Sequence, residues 1–248
     1  MIRTTRFGDF SRRRVILGGV TAALAVSNAR LAAAQPAPVV VELFTSQGCN
    51  SCPPADAYLA ELARQPGILP LAYHIDYWDR LGWRDPFSSP AATARQTDYA
   101  HALRLKTVYT PQMVINGRYD AVGSDRREVA AAIAAAGSST GAVPVELLAE
   151  NGALSVRLGA GIGQGRVFLI AYDLRHETRV RGGENAGRTL VNTNIVRAIE
   201  ELGAWTGGAL TRSRPLPPPG TGIAVLLQSS DGAIIGAAAT AAAERKVS

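Results

Sequence analysis

The stretch VELFTSQGCNSCPPAD, residues 41–56, holds both cysteines of the 248-residue chain. A nearly unbroken apolar run over residues 39–44 leads into it, and this continuity predicts a central strand that is covered on both faces. The two prolines after Cys52 suit the first turn of a helix, where a missing N–H costs no hydrogen bond. The sequence therefore predicts a C-x-x-C pair, Cys49 and Cys52, between a buried strand and a helix.

Residues 1–34 have the pattern of an export signal. Residues 11–17 (SRRRVIL) carry the twin-arginine pattern, a weakly hydrophobic run follows over residues 15–26, and three alanines at 32–34 offer a small-residue cleavage site. A membrane anchor and a disordered tail are the alternatives, but the run is shorter than the roughly 20 residues that a span needs. We expect a cleaved twin-arginine signal and a periplasmic or secreted protein with no stable membrane anchor.

The net charge of +6 belongs mostly to that signal. The first 34 residues hold six arginines and one aspartate, so the mature protein is left near +1, and no nucleic-acid partner is indicated. The histidines, His74, His101 and His176, show no tight metal-ligand spacing with the cysteines. The glycine-rich stretch at 181–190 lacks the context of a phosphate-binding loop; docking against the cysteine pair is another possible role. We therefore expect no metal and no cofactor.

The residues that follow the cysteine pair have the pattern of a strand–helix–strand unit. A helix is predicted over residues 53–64, and residues 68–77 (ILPLAYHIDY) form the next strand-like run. A strand, a crossover helix and a second strand imply a parallel sheet.

Three further signals complete the first half of the chain. A helix is predicted over residues 90–105 with Ser89 as its N-cap. Asn116-Gly117 is the strongest short signal for a β-hairpin, and the hairpin follows a Thr-Pro dipeptide. A last, alanine-rich helix, capped by a serine or aspartate, ends near Gly137.

The second half changes to short strands with Gly, Asn and Asp turns, which predicts an antiparallel β-sandwich over residues 142–240. Residues 166–174 (RVFLIAYDL) form a buried strand, and Asp231-Gly232 marks a hairpin. Residues 194–202 fit either a strand or one face of a helix. A Gly/Ser/Thr linker at 137–141 separates the halves.

This order of elements resembles the thioredoxin superfamily, and the match is carried by Glu42, Cys49, Cys52, Thr110-Pro111 and the hairpin turn. More closely, residues 41–56 and TPQMVING (110–117) resemble a family of secreted bacterial proteins named only as a domain of unknown function with a thioredoxin-like fold. The resemblance covers residues 38 to about 240. It implies an α/β thioredoxin-like domain over residues 38–137, with a helical insert, followed by the β-sandwich.

The residue pattern itself supports thiol–disulfide exchange, which needs an exposed thiolate and a second thiol close enough to resolve a mixed disulfide. A helix N-terminus stabilises a thiolate, so Cys49 is the expected attacking cysteine and Cys52 the resolving one. The resemblance implies that Pro111, after Thr110, is a cis proline facing the pair, and that Glu42 is a buried carboxylate serving proton transfer. An ordinary trans turn proline and a solvent-facing Glu42 are the alternatives.

Several residues depart from the thioredoxin pattern. The loop between Glu42 and Cys49 is one residue longer than in thioredoxin, Gly48 stands where an aromatic residue is usual, and Asn50-Ser51 replace Gly-Pro. These departures leave the redox potential and the partner surface open.

Three functions remain after these observations. The first is a periplasmic thiol–disulfide oxidoreductase acting on protein thiols or disulfides through Cys49 and Cys52. The second is a non-catalytic scaffold or binding protein in which the same disulfide is structural. The third is a soft-metal carrier that uses both cysteines and His74. Exposure of the Cys49 sulfur separates the first two, and the orientation of His74 decides the third.

Overall fold

The computed structural model describes residues 37–137, 143–150 and 152–240, with the side chain of Glu150 left out. All of them belong to one compact unit, Ala34–Ser248. The expected signal at 1–34 and most of the expected linker lie outside the described residues.

Within residues 37–137, four strands and three helices are arranged around the cysteine pair. In chain order they are β1 (Val39–Thr45), α1 (Pro53–Leu62), β2 (Ile68–His74), α2 (Pro90–Ala102), β3 (Gln112–Ile115), β4 (Tyr119–Val122) and α3 (Arg126–Gly137). β1 pairs in parallel with β2, as the strand–helix–strand pattern predicts, and pairs antiparallel with β3 on its other side.

β1 is buried on both faces because successive side chains of a strand point to opposite sides. Val41 and Leu43 pack with apolar residues of α1 and α3 in one core cluster. Val40 and Phe44 pack with residues of α2 in another. The cysteine pair follows directly after this central strand, so its position is fixed by the most buried element of the fold.

The turns and caps of this half match their sequence signals. The Ser89 hydroxyl accepts a hydrogen bond from Ala92 N at 3.2 Å and caps α2. Asn116 and Gly117 both have positive φ, 46° and 65°, which the tight hairpin turn between β3 and β4 requires. A Cβ on Gly117 would lie 2.0 Å from the carbonyl oxygen of Gly232, so a larger residue would collide with a neighbouring turn.

The second half is built from seven strands. They are β5 (Val145–Glu150), β6 (Ala153–Leu158), β7 (Gly165–Arg179), β8 (Thr189–Trp205), β9 (Leu210–Pro215), β10 (Thr221–Ser229) and β11 (Ile234–Thr240). One sheet of eight strands has the order β11-β10-β7-β8-β2-β1-β3-β4, and a second sheet has the order β5-β6-β9. Both halves of the chain therefore contribute to the same large sheet.

The two halves meet between β2 and β8, which are parallel and paired at Ala72 and Ile195. The core beneath this junction is shared. Phe44 and Tyr73 of the first half lie in the same cluster as Phe168 and Leu226 of the second. A further apolar cluster, which includes Val156 of the small sheet and Val225 of the large one, fills the space between the sheets.

Residues 194–202 belong to β8 and are strand, not helix. Pairing with β7 is interrupted twice, and the skipped residues are Arg197 and Leu202. An extra residue at each bulge changes the side-chain alternation. The apolar residues consequently fall at spacings of four and three, which imitate the face of a helix in the sequence.

Candidate functional site

The cysteine pair lies at the N-terminus of α1, as predicted. Cys49 and Cys52 form a disulfide with Cα atoms 5.5 Å apart. Cys52 is the N-cap residue of the helix, and its carbonyl accepts hydrogen bonds from the backbone N–H groups of Ala55 and Asp56. The unpaired N–H groups of this helix end carry partial positive charge, which favours a thiolate over a thiol.

Hydroxyl groups surround the sulfur of Cys49. Cys49 Sγ lies 3.3 Å from Ser51 Oγ and 3.4 Å from Thr110 Oγ1. Thr110 in turn accepts a hydrogen bond from the indole N–H of Trp78 at 2.9 Å. The Thr110–Pro111 peptide bond is cis, as the resemblance implies, and its threonine touches the disulfide. Both hydroxyls are placed to donate to a thiolate at Cys49.

A segment of the second half packs against the loop that carries the disulfide. We call residues 180–188, which connect β7 to β8, the cap loop. Asn185, fully buried in this loop, donates from Nδ2 to the carbonyls of Gln47 and Cys49 at 3.0 and 2.9 Å. Glu184 accepts from the backbone N–H of Asn50 at 3.1 Å. The glycine-rich stretch therefore docks against the disulfide loop.

This docking needs glycine at its closest point. A Cβ on Gly182 would lie 2.2 Å from the carbonyl oxygen of Gly82, which belongs to the loop after β2. The cap loop and the loop after β2 thus meet backbone to backbone beside the cysteines.

The cap loop changes the expected accessibility of the site. Cys49 was expected to be exposed as the attacking cysteine, but both cysteines have 0% relative exposure. The neighbours Asn50 and Ser51 are exposed, so the disulfide lies just beneath the surface. In this conformation a substrate thiol does not reach the Cys49 sulfur.

A group of buried ionisable residues lies behind the disulfide loop, and we call Asp56, His74 and Asp85 the buried acid cluster. Their relative exposures are 7%, 1% and 2%. His74 Nδ1 lies 2.7 Å from Asp85 Oδ2, which also accepts from the backbone N–H of Gln47 at 2.7 Å. Among the residues that the structure describes, His74 Nε2 has no hydrogen-bond partner.

The pKa values in the cluster are shifted in ways that follow from these contacts. Burial, and to a smaller extent Asp85, raises the pKa of Asp56 to about 6, although His74, Thr45 and Asn192 act against the rise. Burial opposes a charged His74, but Asp85 and then Asp56 outweigh it and raise the pKa of the imidazole. Burial alone would raise the pKa of Asp85, yet the nearby His74 holds it below its usual value. The cluster thus holds a carboxyl group that titrates near neutral pH.

Glu42 is buried, as the resemblance implies, but it lies on the face of β1 opposite the one against which α1 packs. Arg95 of α2 binds both of its carboxylate oxygens, with Nε–Oε1 at 2.6 Å and Nη2–Oε2 at 3.0 Å. The Tyr99 hydroxyl also donates to Glu42. The carboxylate is therefore held in a buried ion pair that fastens α2 to the sheet.

The remaining expectations concern metals and membranes. Across residues 37–137, 143–150 and 152–240, no group of three His, Cys, Asp or Glu side chains is arranged to hold a metal ion, and the Nδ1 atom of His74 is engaged by Asp85. In the same described ranges, no helix is long and apolar enough to cross a bilayer.

Sequence reasoning identified the disulfide and Thr110-Pro111 but missed three residues of the site. Asp56 stands one helical turn after Cys52, and this spacing in the sequence was sufficient to place it beside the pair. Asp85 and Asn185 come from distant loops. No local pattern in the sequence marks their approach.

The site is thus a disulfide at a helix N-terminus, beside a cis proline and at the end of a central strand. The chain belongs to a family of proteins of unknown function, DUF1223, whose sequence profile matches residues 40–228. This confirms the resemblance to an uncharacterised family.

Among the solved structures, a bacterial protein of similar length is similar to this chain. A crystal structure of an Agrobacterium tumefaciens protein shares 34% identity, covers 87% of this chain and 99% of its own, and superposes with a TM-score of 0.76. An endonuclease/exonuclease/phosphatase from Beutenbergia cavernae covers 40% of this chain and 23% of its own, with 17% identity. Its TM-score of 0.20 is too low to indicate a shared fold. No curated protein matches the chain. Any function must therefore be argued from the site.

Proposed function

We propose that the protein is an exported thiol–disulfide oxidoreductase that exchanges the Cys49–Cys52 disulfide with protein thiols or disulfides. The observation that carries the proposal is the disulfide itself, placed at the N-terminus of α1 with the hydroxyls of Ser51 and Thr110 on the Cys49 sulfur. Export by the twin-arginine route and a thioredoxin-like organisation of residues 38–137, followed by a β-sandwich over 142–240, are parts of the same proposal.

The exchange follows from the chemistry of the two sulfurs. A substrate thiolate attacks Cys49 Sγ, forms a mixed disulfide and breaks the Cys49–Cys52 bond, whose electron pair leaves on Cys52. A second substrate thiolate then attacks the substrate sulfur and releases Cys49 as a thiolate. In the opposite direction Cys49 attacks a substrate disulfide and Cys52 resolves the mixed disulfide. The helix N-terminus lowers the energy of the thiolate in both directions.

The other expected site residues take different roles in this proposal. Thr110 donates to the Cys49 sulfur, and the backbone before Pro111 is the expected pairing partner for an extended substrate chain. Glu42 is engaged by Arg95, so its part is to hold α2 and the sheet together. Because a full ion pair is costly to break inside a protein, a free proton-transfer role for Glu42 is disfavoured.

Substrate access depends on the cap loop. Asn185 and Glu184 occupy backbone groups on both sides of Cys49, and the sulfur is buried while these contacts last. The proposal therefore requires local opening of this loop, without unfolding of the sheet.

A second candidate is supported by the same burial. A disulfide with fully buried cysteines is typical of a structural cross-link, and the protein would then be a scaffold or binding protein whose partner contacts lie elsewhere. The two candidates differ in whether a thiol cleaves the disulfide while the protein stays folded.

The test of the proposed function is trapping of the mixed disulfide. Cys52→Ser should accumulate a stable mixed disulfide between Cys49 and an oxidised peptide, because no resolving thiol is left. Cys49→Ser is the matched control and should accumulate far less, since Cys52 lies at the helix start behind the cap loop. Mass spectrometry of the folded proteins measures both. Equal labelling, or labelling only in denaturant, would support the structural disulfide.

A further inference from the structure

The exchange described above makes no use of the buried acid cluster. Asp56, His74 and Asp85 are three ionisable side chains removed from water, and removing charged groups from water is costly unless they are paired. His74 and Asp85 are paired with each other, whereas Asp56 makes no ion pair within the part of the chain that the structure describes. A buried carboxyl group of this kind next to a reactive bond is a candidate for proton transfer.

The cluster is joined to both cysteines through short connections. Asp56 is the fourth residue after Cys52, its N–H donates to the Cys52 carbonyl at 3.1 Å, and side chains at this spacing lie about 5–6 Å apart at Cβ. On the other side, Gln47 binds Asp85 through its N–H and Asn192 through its side chain. Gln47 is two residues before Cys49. Thus the cluster lies directly behind the disulfide.

Cleavage of the disulfide creates a negative charge in a buried position, where an unpaired charge is energetically costly. The electron pair of the broken bond leaves on Cys52, which is fully buried. A thiolate there and a carboxylate on Asp56 would be two negative charges one helical turn apart, with little water between them. One proton shared between these groups removes that repulsion.

We propose that Asp56 donates the proton that Cys52 takes up when a substrate thiolate cleaves the disulfide, and recovers it when the disulfide forms again. The inference rests on the proposed function. The new bond joins the substrate sulfur to Cys49, the broken bond is Cys49–Cys52, and the proton passes from the Asp56 carboxyl group to the Cys52 sulfur. His74, oriented by Asp85, is a positioning residue that sets the protonation of Asp56.

The groups that face Asp56 come from every neighbouring element. They are Thr45 of β1, His74 of β2, Asp85 of the loop after β2 and Asn192 of β8, while Arg197 of β8 acts on His74. Burial raises the pKa of the Asp56 carboxyl group, which keeps a fraction of it protonated at neutral pH.

The experiment measures the rate of disulfide cleavage by dithiothreitol in the folded, mature protein from pH 5 to pH 8.5. Thiol concentrations are kept in the range where the rate is linear in thiol, so that chemistry and not loop opening limits it. Rates are divided by the thiolate concentration. The wild-type rate should then fall through one titration step as Asp56 loses its proton. Asp56→Asn should lose that step and be about 100-fold slower at the acidic end, the lower range for general acid catalysis.

Two variants make the assignment specific. Glu42→Gln removes a buried carboxylate on the opposite face of β1 and should keep the step. His74→Asn should keep the step but move its midpoint to higher pH, because the imidazolium that favours ionised Asp56 is lost while Asp85, which disfavours it, remains. A step retained in Asp56→Asn, or lost in Glu42→Gln, overturns the inference.

If Asp56→Asn does not fold, the midpoint of His74→Asn decides, and an unchanged midpoint overturns the inference. Failure of the proposed function has a different signature. In that case the wild-type disulfide resists dithiothreitol at every pH until the protein unfolds, as far-UV circular dichroism of the same samples reports.

Discussion

At the scale of single residues, the hydroxyls around Cys49 distinguish it from Cys52. Ser51 and Thr110 each lie within 3.4 Å of the Cys49 sulfur, and hydrogen bonds to a thiolate lower the pKa of its thiol. In the reduced protein, iodoacetamide at mildly acidic pH should label Cys49 first. Thr110→Val removes one hydrogen-bond donor to this sulfur and should slow the labelling of Cys49 at that pH, because the thiolate is then less stabilised. Faster labelling of Cys52, measured by peptide mass spectrometry, would contradict this assignment.

Asp56 gives a pH dependence to stability at the same scale. The pKa of Asp56 rises from 3.8 to about 6 on folding. Its contribution to the free energy of unfolding is therefore complete below pH 3.8 and is lost as the pH rises through about 6. This shift corresponds to a loss of about 3 kcal/mol between the two values. The asparagine of Asp56→Asn cannot ionise. The free energy of unfolding of this variant, relative to that of the wild type, should therefore rise by about 3 kcal/mol between pH 4 and pH 7. Urea unfolding at both pH values measures it, and parallel losses in both proteins would show that Asp56 is not the group responsible.

Residue roles were predictable from the sequence where a local pattern carries them. The position of Cys49 and Cys52 at a helix start follows from their spacing and from the prolines after them, whereas the place of Pro111 beside the pair is what the resemblance to thioredoxins implies. The ion pair of Glu42 was not predictable, because its partner Arg95 lies 53 positions away in the sequence. Arg95 belongs to α2, which packs on the face of β1 opposite α1. A buried strand position says that a carboxylate is inside the protein, but not what neutralises it.

At the scale of elements, the cap loop is the part that connects the second half of the chain to the chemistry. Asn185 makes two hydrogen bonds to the disulfide loop, and losing them removes about 2 kcal/mol of local stability. Asn185→Ala should therefore raise the fraction of open molecules, and the rate of reduction by dithiothreitol at limiting thiol, by about 30-fold.

Glu184→Gln is the matched control for this loop. A glutamine oxygen still accepts from the N–H of Asn50, so its reduction rate should stay near that of wild type. An unchanged rate in Asn185→Ala would mean that the loop does not control access. The sequence offered this docking only as one possible role of the glycine-rich stretch. Glycines allow a close backbone approach, but they do not show which segment of the protein approaches them.

At the scale of the whole molecule, the two halves share structure that the sequence predicts as separate. The linker signal at 137–141 and the change of composition indicate a boundary, yet β8 pairs with β2 and one core cluster runs beneath both. Strand pairing across such a distance leaves no mark in local periodicity. The individual strands and helices were predictable from the sequence, whereas their order in the sheet was not.

This sharing predicts the behaviour of a truncated chain. Residues 37–137 alone would expose the side of the core that Phe168, Ile170 and Leu226 cover, and would leave Arg95 without Gln228. Uncovering several fully buried apolar side chains costs more than the usual stability of a domain of this size. The fragment should show no cooperative thermal transition by circular dichroism. A sharp transition would mean that the first half is an independent domain.

The reduction potential of the folded, mature protein tests the central claim most directly. The protein is equilibrated with mixtures of reduced and oxidised glutathione at pH 7, its free thiols are alkylated, and the oxidised fraction is counted by mass spectrometry. The account predicts a reversible transition above about −300 mV, within the range in which thiol–disulfide oxidoreductases exchange with substrates. A disulfide that stays oxidised at every ratio, with a potential well below about −300 mV, would contradict the account and identify Cys49–Cys52 as a structural cross-link.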